Sequence, residues 1–170
     1  MRSNGILMHI SSLPSPHGIG SMGKPAREFA DFLADAGQKY WQILPVCPTG
    51  YGDSPYQSFS TNAGNPYFID LDELKKDGLL LAEEYENIDW ESAADDINYG
   101  ALYNKRYPVL KLAVDRFVKS PASDFESFCE ENSFWLEDYA LFMAVKIRFN
   151  GASWSEGAED IKRRWPFAKE

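Results

Sequence analysis

The first 45 residues restrict the fold more than any other part of this chain. "GILMHI" (Gly5 to Ile10) is a short, mostly apolar run bounded by turn formers, the pattern of a strand buried on both faces. Pro14, Pro16, Gly18, Gly20 and Gly23 then make a loop. Pro25 suits the first turn of a helix in which Phe29, Phe32, Leu33 and Ala36 recur on one face, and Gly37 stands where that helix would end. "KYWQILP" is a second apolar run, closed by Pro45. Two strands joined through a helix run parallel, because only a crossover of that length returns the chain to the same edge. An α/β class is therefore expected.

Beyond Pro45 the pattern changes twice. "NPYFIDL" reads as a third short strand from Tyr67 to Leu71, and "DELKKDGLL" as a helical turn stopped at Gly78. The segment up to Asn98 has no sustained periodicity and reads as a solvated acidic connection whose charges need no functional account. From Tyr99 onward the pattern is helical, with Leu110, Ala113, Val114 and Phe117 on one stripe and Pro108 either kinking or starting the helix. Asp124 is placed as N-cap of a second run through Phe125, Phe128, Cys129, Trp135, Leu136, Tyr139, Phe142, Met143 and Ile147, which Asn132 and Ser133 divide. The expected organisation is residues 1–75 as a first β-α-β unit with its loop, 76–98 as the connection, and 99–170 as a helical subdomain.

Charge narrows the partners. Of the net −9, residues 1–69 contribute nothing, with four acids against four bases, and residues 70–99 contribute all of it, with eleven acids against Lys75 and Lys76. Without a basic stripe, such a chain repels phosphate backbones and anionic bilayers, so neither nucleic acid nor a membrane is expected as a partner. Cys47 and Cys129 lie far apart with no C-x-x-C spacing, and are expected as free thiols in a reducing, cytoplasmic setting. "GILMHI" is too short for a signal-peptide core.

Several motifs invite chemistry and do not sustain it. "GIGSMG" (Gly18 to Gly23) matches the spacing of a dinucleotide fingerprint, but "SSLPSPH" separates it from the strand and no acid ends the second strand, so a Gly-rich turn into a helix is expected. His9 and His17 are eight residues apart across a Pro-rich loop, which is not a metal spacing; hydrogen-bonded structural roles are expected. The acid pairs Glu83/Glu84 and Asp95/Asp96 are adjacent, so their side chains point apart and do not form a two-carboxylate site.

"PTGYGDSPYQSFSTNAGNPYF" (Pro48 to Phe68) differs because of its place. It leaves the C-terminal end of a parallel strand, the end at which α/β sheets and barrels carry their ligands. It holds a single charge, Asp53. Its neutral polar groups (Ser54, Gln57, Ser58, Ser60, Thr61, Asn62, Asn65) alternate with the rings of Tyr51, Tyr56, Phe59 and Tyr67. That mixture matches a sugar, which offers hydroxyls at its rim and C–H faces above and below; the alternative is that the rings only pack the loop down.

"GILMHISSLPSPHGIGSMG", "YWQILPVCPTGYGDSPYQSFSTNAGNPYFIDL" and "FWLEDYALFMAVKIRFNGASWSE" together resemble the N-terminal part of the 4-α-glucanotransferases, the amylomaltases or disproportionating enzymes of the α-amylase clan. The resemblance runs through nearly all of residues 2 to 156. It implies the N-terminal part of a (β/α)8 TIM barrel with a mostly helical inserted subdomain, the barrel being incomplete in this chain. It implies an enzyme that moves an α-1,4-glucan segment to an acceptor sugar with retention, through an aspartate nucleophile, a glutamate acid/base and a second aspartate. None of the acids here matches those three, so no catalytic residue is assigned and the 170 residues alone are expected to be inactive. A non-catalytic carbohydrate-binding or interaction fragment is the alternative. Neither metal nor organic cofactor is implied. The implied partners are α-1,4-glucans and maltooligosaccharides with glucose or maltose as acceptor, and the remainder of the barrel as a separate chain is left open. The resemblance matches Tyr56 to a tyrosine that stacks on the sugar beside the scissile bond, with Ser54 next to it. It matches Tyr51 to an outer glucan-contact aromatic, and Asn62, Ala63 and Gly64 to the acceptor side. Ser21 stands where the family has Asp and would still serve as an N-cap.

Overall fold

The computed structural model describes residues 2–50, 52–93, 95–149 and 151. Two parallel strands, β1 (Gly5–Leu7) and β2 (Tyr40–Gln42), pair in the register Gly5 to Tyr40, Ile6 to Trp41 and Leu7 to Gln42, with helix α1 (Lys24–Asp35) as the crossover. The strand-helix-strand expectation is met. Pro25 sits in the first turn of α1, and Gly37 follows its end at φ +70°, a backbone angle that a Cβ disfavours. Phe29 of α1 packs edge-on against Trp41 of β2 at 4.9 Å, and the Trp41 indole N–H donates to the Met8 carbonyl at 2.7 Å. The first strand is shorter than "GILMHI", because Ile10–Ser12 curl into a 3-10 turn. Nor is it buried on both faces: Ile6 is 41% and Leu7 60% exposed, since the sheet has two strands among the described residues.

"NPYFIDL" is not a strand. The Asn65 side chain accepts from the Tyr67 N–H at 3.0 Å and closes Pro66–Phe68 into a 3-10 turn, while Asp70 caps α2 (Leu71–Lys76) by accepting from the Glu73 N–H at 2.9 Å. Two short polar side chains satisfying local N–H groups outcompete the ladder that an apolar run suggests.

The acidic connection is not simply solvated. Leu80, Tyr85 and Trp90 from it are buried with Ile10, Leu13, Ile19, Tyr67, Phe68 and Leu71 in one core. Helix α3 (Tyr99–Phe117) completes that core with Leu102, Val109, Leu110 and Ala113. The expected boundary at residue 99 is therefore no break in packing; the chain divides into compact units after Pro121. Charges in the connection also have partners. Glu84 accepts from both the Leu81 N–H and the Arg116 guanidinium, which holds its carboxyl down at about 2. Pro108 lies inside α3, whose start is set by Asn98 accepting from the Ala101 N–H at 2.9 Å.

Arg106 of α3 is fully buried in this unit. Its guanidinium donates to the His17 carbonyl at 3.1 Å and the Ile69 carbonyl at 2.7 Å, and lies 5.8 Å from the centre of the Trp90 ring. It joins α3, the glycine-rich loop and the turn before α2 at one point.

The second unit, from Ala122, contains α4 (Phe125–Glu131) and α5 (Ser133–Arg148), divided at Asn132 as expected. Asp124 makes no side-chain cap, because its own backbone is already helical (φ −94°, ψ −2°) rather than extended. The periodic stripe does not give a buried core within this unit: Phe125 is 40%, Phe128 47% and Ile147 73% exposed. Among the described residues no helix is long and apolar enough to cross a membrane.

Candidate functional site

The loop after β2 is tied at both ends. The Asn65 N–H donates to the Val46 carbonyl at 2.8 Å, and Thr49 bridges to Ser58 in antiparallel fashion. Inside this arch the Gly50 N–H donates to the Gln57 carbonyl at 3.2 Å, the Asp53 N–H to Gly50 at 3.1 Å and the Gln57 N–H to Ser54 at 3.0 Å. Two turns, closed at Asp53 and Gln57 and joined by the cross-loop bond from Gly50 to Gln57, leave no room for a helix or a longer strand and put Tyr56 at the outer side of the arch.

Tyr56 stands at that outer point with 73% of its surface exposed, and its N–H lies 3.4 Å from the Ser54 hydroxyl oxygen. Ser54 is half-buried beside it. These two expected site residues are thus brought together. Asn62 and Gly64 are exposed on the returning limb, where the Ser60 hydroxyl accepts from the N–H groups of Asn62 and Ala63, each at 3.1 Å. Ala63 itself is only 7% exposed, so its side chain packs the loop. Tyr51 lies outside the described residues.

A pocket of about 230 Å3 opens beneath the arch, lined by His9, Ser11, Ser12, Thr49, Asp53, Asn65, Tyr67 and Tyr99 among others. It is smaller than the roughly 300 Å3 at which pockets for drug-sized ligands begin, so by itself it suits one small polar group rather than a whole oligosaccharide. Burial pushes the Asp53 carboxyl up, against the pull of the Thr49 hydroxyl that donates to it at 3.1 Å. Burial raises the Tyr67 and Tyr99 hydroxyls, with Tyr107 and then Asp53 adding to it at Tyr67 and Asp53 at Tyr99. Burial lowers the His9 imidazole, whose Nδ1 accepts from the Leu44 N–H at 3.2 Å. His9 is the hydrogen-bonded structural imidazole expected, tying the end of β1 to the end of β2.

His17 differs in detail. Its ring is buried edge-on to Tyr85 at 5.1 Å, and its Nε2 lies 3.4 Å from Asp72 Oδ1 without forming a hydrogen bond. The glycine-rich motif is a turn, and its surroundings oppose phosphate: the Ser21 hydroxyl donates to Asp70 Oδ2 at 2.6 Å, and a Cβ on Gly23 would fall 1.9 Å from the same oxygen. Ser21 consequently does not cap α1, whose N-cap position is Gly23.

Among the described residues, Asp53 is the only carboxylate lining the pocket. Glycosyl transfer by two carboxyl groups needs a pair roughly 5 to 9 Å apart across one bond, and among the described residues lining this pocket no second acid stands beside Asp53. Among the described residues no His, Cys, Asp and Glu side chains group in a way that could hold a metal. Sequence reasoning passed over Thr49, Asp53 and Tyr99. Asp53 was legible as the lone charge in a neutral loop, whereas nothing local marks Tyr99, which arrives from 46 positions further along the chain.

Comparison with known proteins places the chain among relatives. The family model described as 4-alpha-glucanotransferase matches residues 8–169. A 4-alpha-glucanotransferase of Clostridium butyricum is 52% identical over 92% of this chain and 32% of its own length, and one of Thermus thermophilus is 45% identical over 96% of this chain and 32% of its own. Among solved structures, the amylomaltase of Streptococcus agalactiae in complex with acarbose superposes with a TM-score of 0.93 at 42% identity, covering 99% of this chain and 34% of that one. The chain thus spans about a third of the length of the relatives it matches. With a family model running through both units and identities above 40%, the chain belongs to the 4-alpha-glucanotransferase family.

Proposed function

We propose that this chain supplies the first strands and the glucan-contact loop of a 4-α-glucanotransferase, which transfers a segment of an α-1,4-glucan to the 4-hydroxyl of an acceptor sugar with retention. The observation that carries the reading is Tyr56, a large ring left 73% exposed on a doubly tied loop at the ligand end of a parallel strand pair. An exposed aromatic held by its backbone is suited to stacking on the C–H face of a glucose unit, with Ser54, Asn62 and the Gly64 backbone offering hydrogen-bonding groups to hydroxyls. Tyr51 takes the outer contact. The neutral character of the loop fits an uncharged substrate, and the acarbose complex of the related amylomaltase supports a ligand built of sugar-like rings.

In this reading β1 and β2 begin a (β/α)8 barrel. Parallel strands are ordinarily covered on both faces, and the exposure of Ile6, Leu7 and Tyr40 supports further strands and helices being laid against them. The nucleophile and the acid/base belong to those later strands, so the 170 residues bind without cleaving.

Two measurements test this. Titration of maltoheptaose into isotopically labelled protein should shift the amide resonances of Gly52 to Asn65; unmoved resonances would remove the glucan-contact role. Incubation with maltotriose should leave it unchanged by chromatography, and a growing ladder of glucose and longer maltodextrins would overturn the assignment of the chemistry to residues elsewhere.

A further inference from the structure

Asp53 has features that a surface loop residue does not need. It is a non-glycine residue at φ +51°, in the left-handed region that Asp and Asn tolerate and most side chains avoid. Its carboxylate turns back along the loop to accept from the Thr49 hydroxyl at 3.1 Å, while its own N–H donates to the Gly50 carbonyl. Among the described residues no Lys or Arg forms an ion pair with it. The residue immediately after it is Ser54, and Tyr56 follows two positions on, across Pro55.

These observations separate shape from charge. The left-handed backbone reverses the chain just before Ser54, and the bond to Thr49 ties the reversal to the bridge between Thr49 and Ser58. Pro55 then fixes one more angle, so the direction of Tyr56 is set by Asp53 through a short, stiff path. We propose that Asp53 is a positioning residue for ligand recognition: its backbone and its acceptance of the Thr49 hydroxyl hold Ser54 and Tyr56 in the binding geometry, and its negative charge is not used. The inference rests on the glucan-contact reading above for its ligand, but its structural half stands without one.

The prediction is a specific ranking of variants. Asn also adopts the left-handed region and its side-chain oxygen also accepts from Thr49, so Asp53→Asn should bind maltoheptaose within about threefold of the wild-type chain. Asp53→Ala loses the acceptor and resists the backbone angle, and should weaken binding at least about tenfold. Asp53→Gly keeps the angle, loses the acceptor and should fall between them, which keeps the ranking readable if the alanine variant folds poorly. Hydrogen exchange at the Gly50 and Gln57 amides should quicken in Asp53→Ala and Asp53→Gly and not in Asp53→Asn.

If Asp53→Asn binds as weakly as Asp53→Ala, the charge meets the sugar directly and the proposal is overturned. It is equally overturned if the alanine and glycine variants bind and exchange like the wild type. Should the wild-type chain show no affinity for maltoheptaose, the glucan-contact reading fails instead, and amide exchange alone decides whether Asp53 holds the turn.

Discussion

Replacing Arg106 with methionine removes the junction on which three segments of the first unit converge. The side chain is fully buried and donates two charge-assisted hydrogen bonds, to the carbonyls of His17 and Ile69, over the Trp90 ring. Burial drags its pKa down to about 10, a fall that the Asp70 charge resists, so the guanidinium is still protonated at pH 7. Hydrogen bonds to a charged group contribute roughly 1.5 to 3 kcal/mol each in net terms, which puts the pair at about 3 to 6 kcal/mol. The depressed pKa reports that this cation is poorly solvated, so the lower end applies: Arg106→Met should destabilise the chain by about 3 kcal/mol. Methionine fills similar volume, which limits any cavity contribution.

Arg106→Lys separates charge from shape. A single ammonium cannot replace a planar fork whose two ends reach different carbonyls, so about half the loss, roughly 1.5 kcal/mol, should remain. Urea unfolding followed by tryptophan fluorescence is the assay, with Trp90 next to the perturbation and the slope compared across variants to confirm that the same surface is exposed. A methionine variant within about 1 kcal/mol of the wild type would refute the reasoning, because it would mean that the two carbonyls lose nothing when their donor goes. A lysine variant as unstable as the methionine one would refute the charge-assisted part of it.

Three further outcomes are expected. The Glu84 carboxyl titrates from 4.5 down to about 2 on folding, so its contribution is complete above pH 4.5 and disappears as pH falls toward about 2; Glu84→Gln should flatten acid unfolding across that window. Gly23→Ala would drive a methyl group into Asp70, displacing the acceptor that caps α2 and holds Ser21, and should lower stability by about 1 to 3 kcal/mol in thermal melts; an unchanged melting temperature would mean that Asp70 can move freely. Tyr56→Ala should leave the melting temperature unchanged, since the ring is 73% exposed, while abolishing the maltoheptaose-induced shifts at Ser54 and Gln57; a drop in stability instead would make the ring a packing element.

Much of the first unit was legible in the chain itself, for reasons that particular residues make plain. Pro25 and Gly37 bracket α1, and the apolar runs on either side of it could pair only in parallel once a helix intervened. The loop from Pro48 could be placed at the ligand end of the strands because order along the chain fixes that end. By contrast, "NPYFIDL" carries the apolar content of a strand and folds as two turns. The decisive groups are the Asn65 and Asp70 side chains, whose competition with a ladder is settled by whether a neighbouring strand is there to pair. The acidic stretch departs from the expected solvated connection for a related cause. Its buried residues Leu80, Tyr85 and Trp90 stand five apart, which fits neither the 3.6-residue helical nor the two-residue strand period, and such segments enter a core only by tertiary contact.

At the site the same division holds. The aromatic and polar character of the loop follows from composition and place, and Tyr56 and Ser54 from the family resemblance, whereas the pocket wall formed by His9, Thr49, Asp53 and Tyr99 draws on three separate stretches. Sequence alone determined the parallel strand pair, its helical crossover, the aromatic loop at its end and, through long matching strings, the family, because each rests on local pattern and order along the chain. Tertiary structure alone decided how far Tyr56 is exposed, that Asp53 lines the pocket, and that Arg106 is the buried cation joining the segments. Burial and hydrogen bonding between residues up to 89 positions apart are properties of the packed chain, which no local pattern encodes.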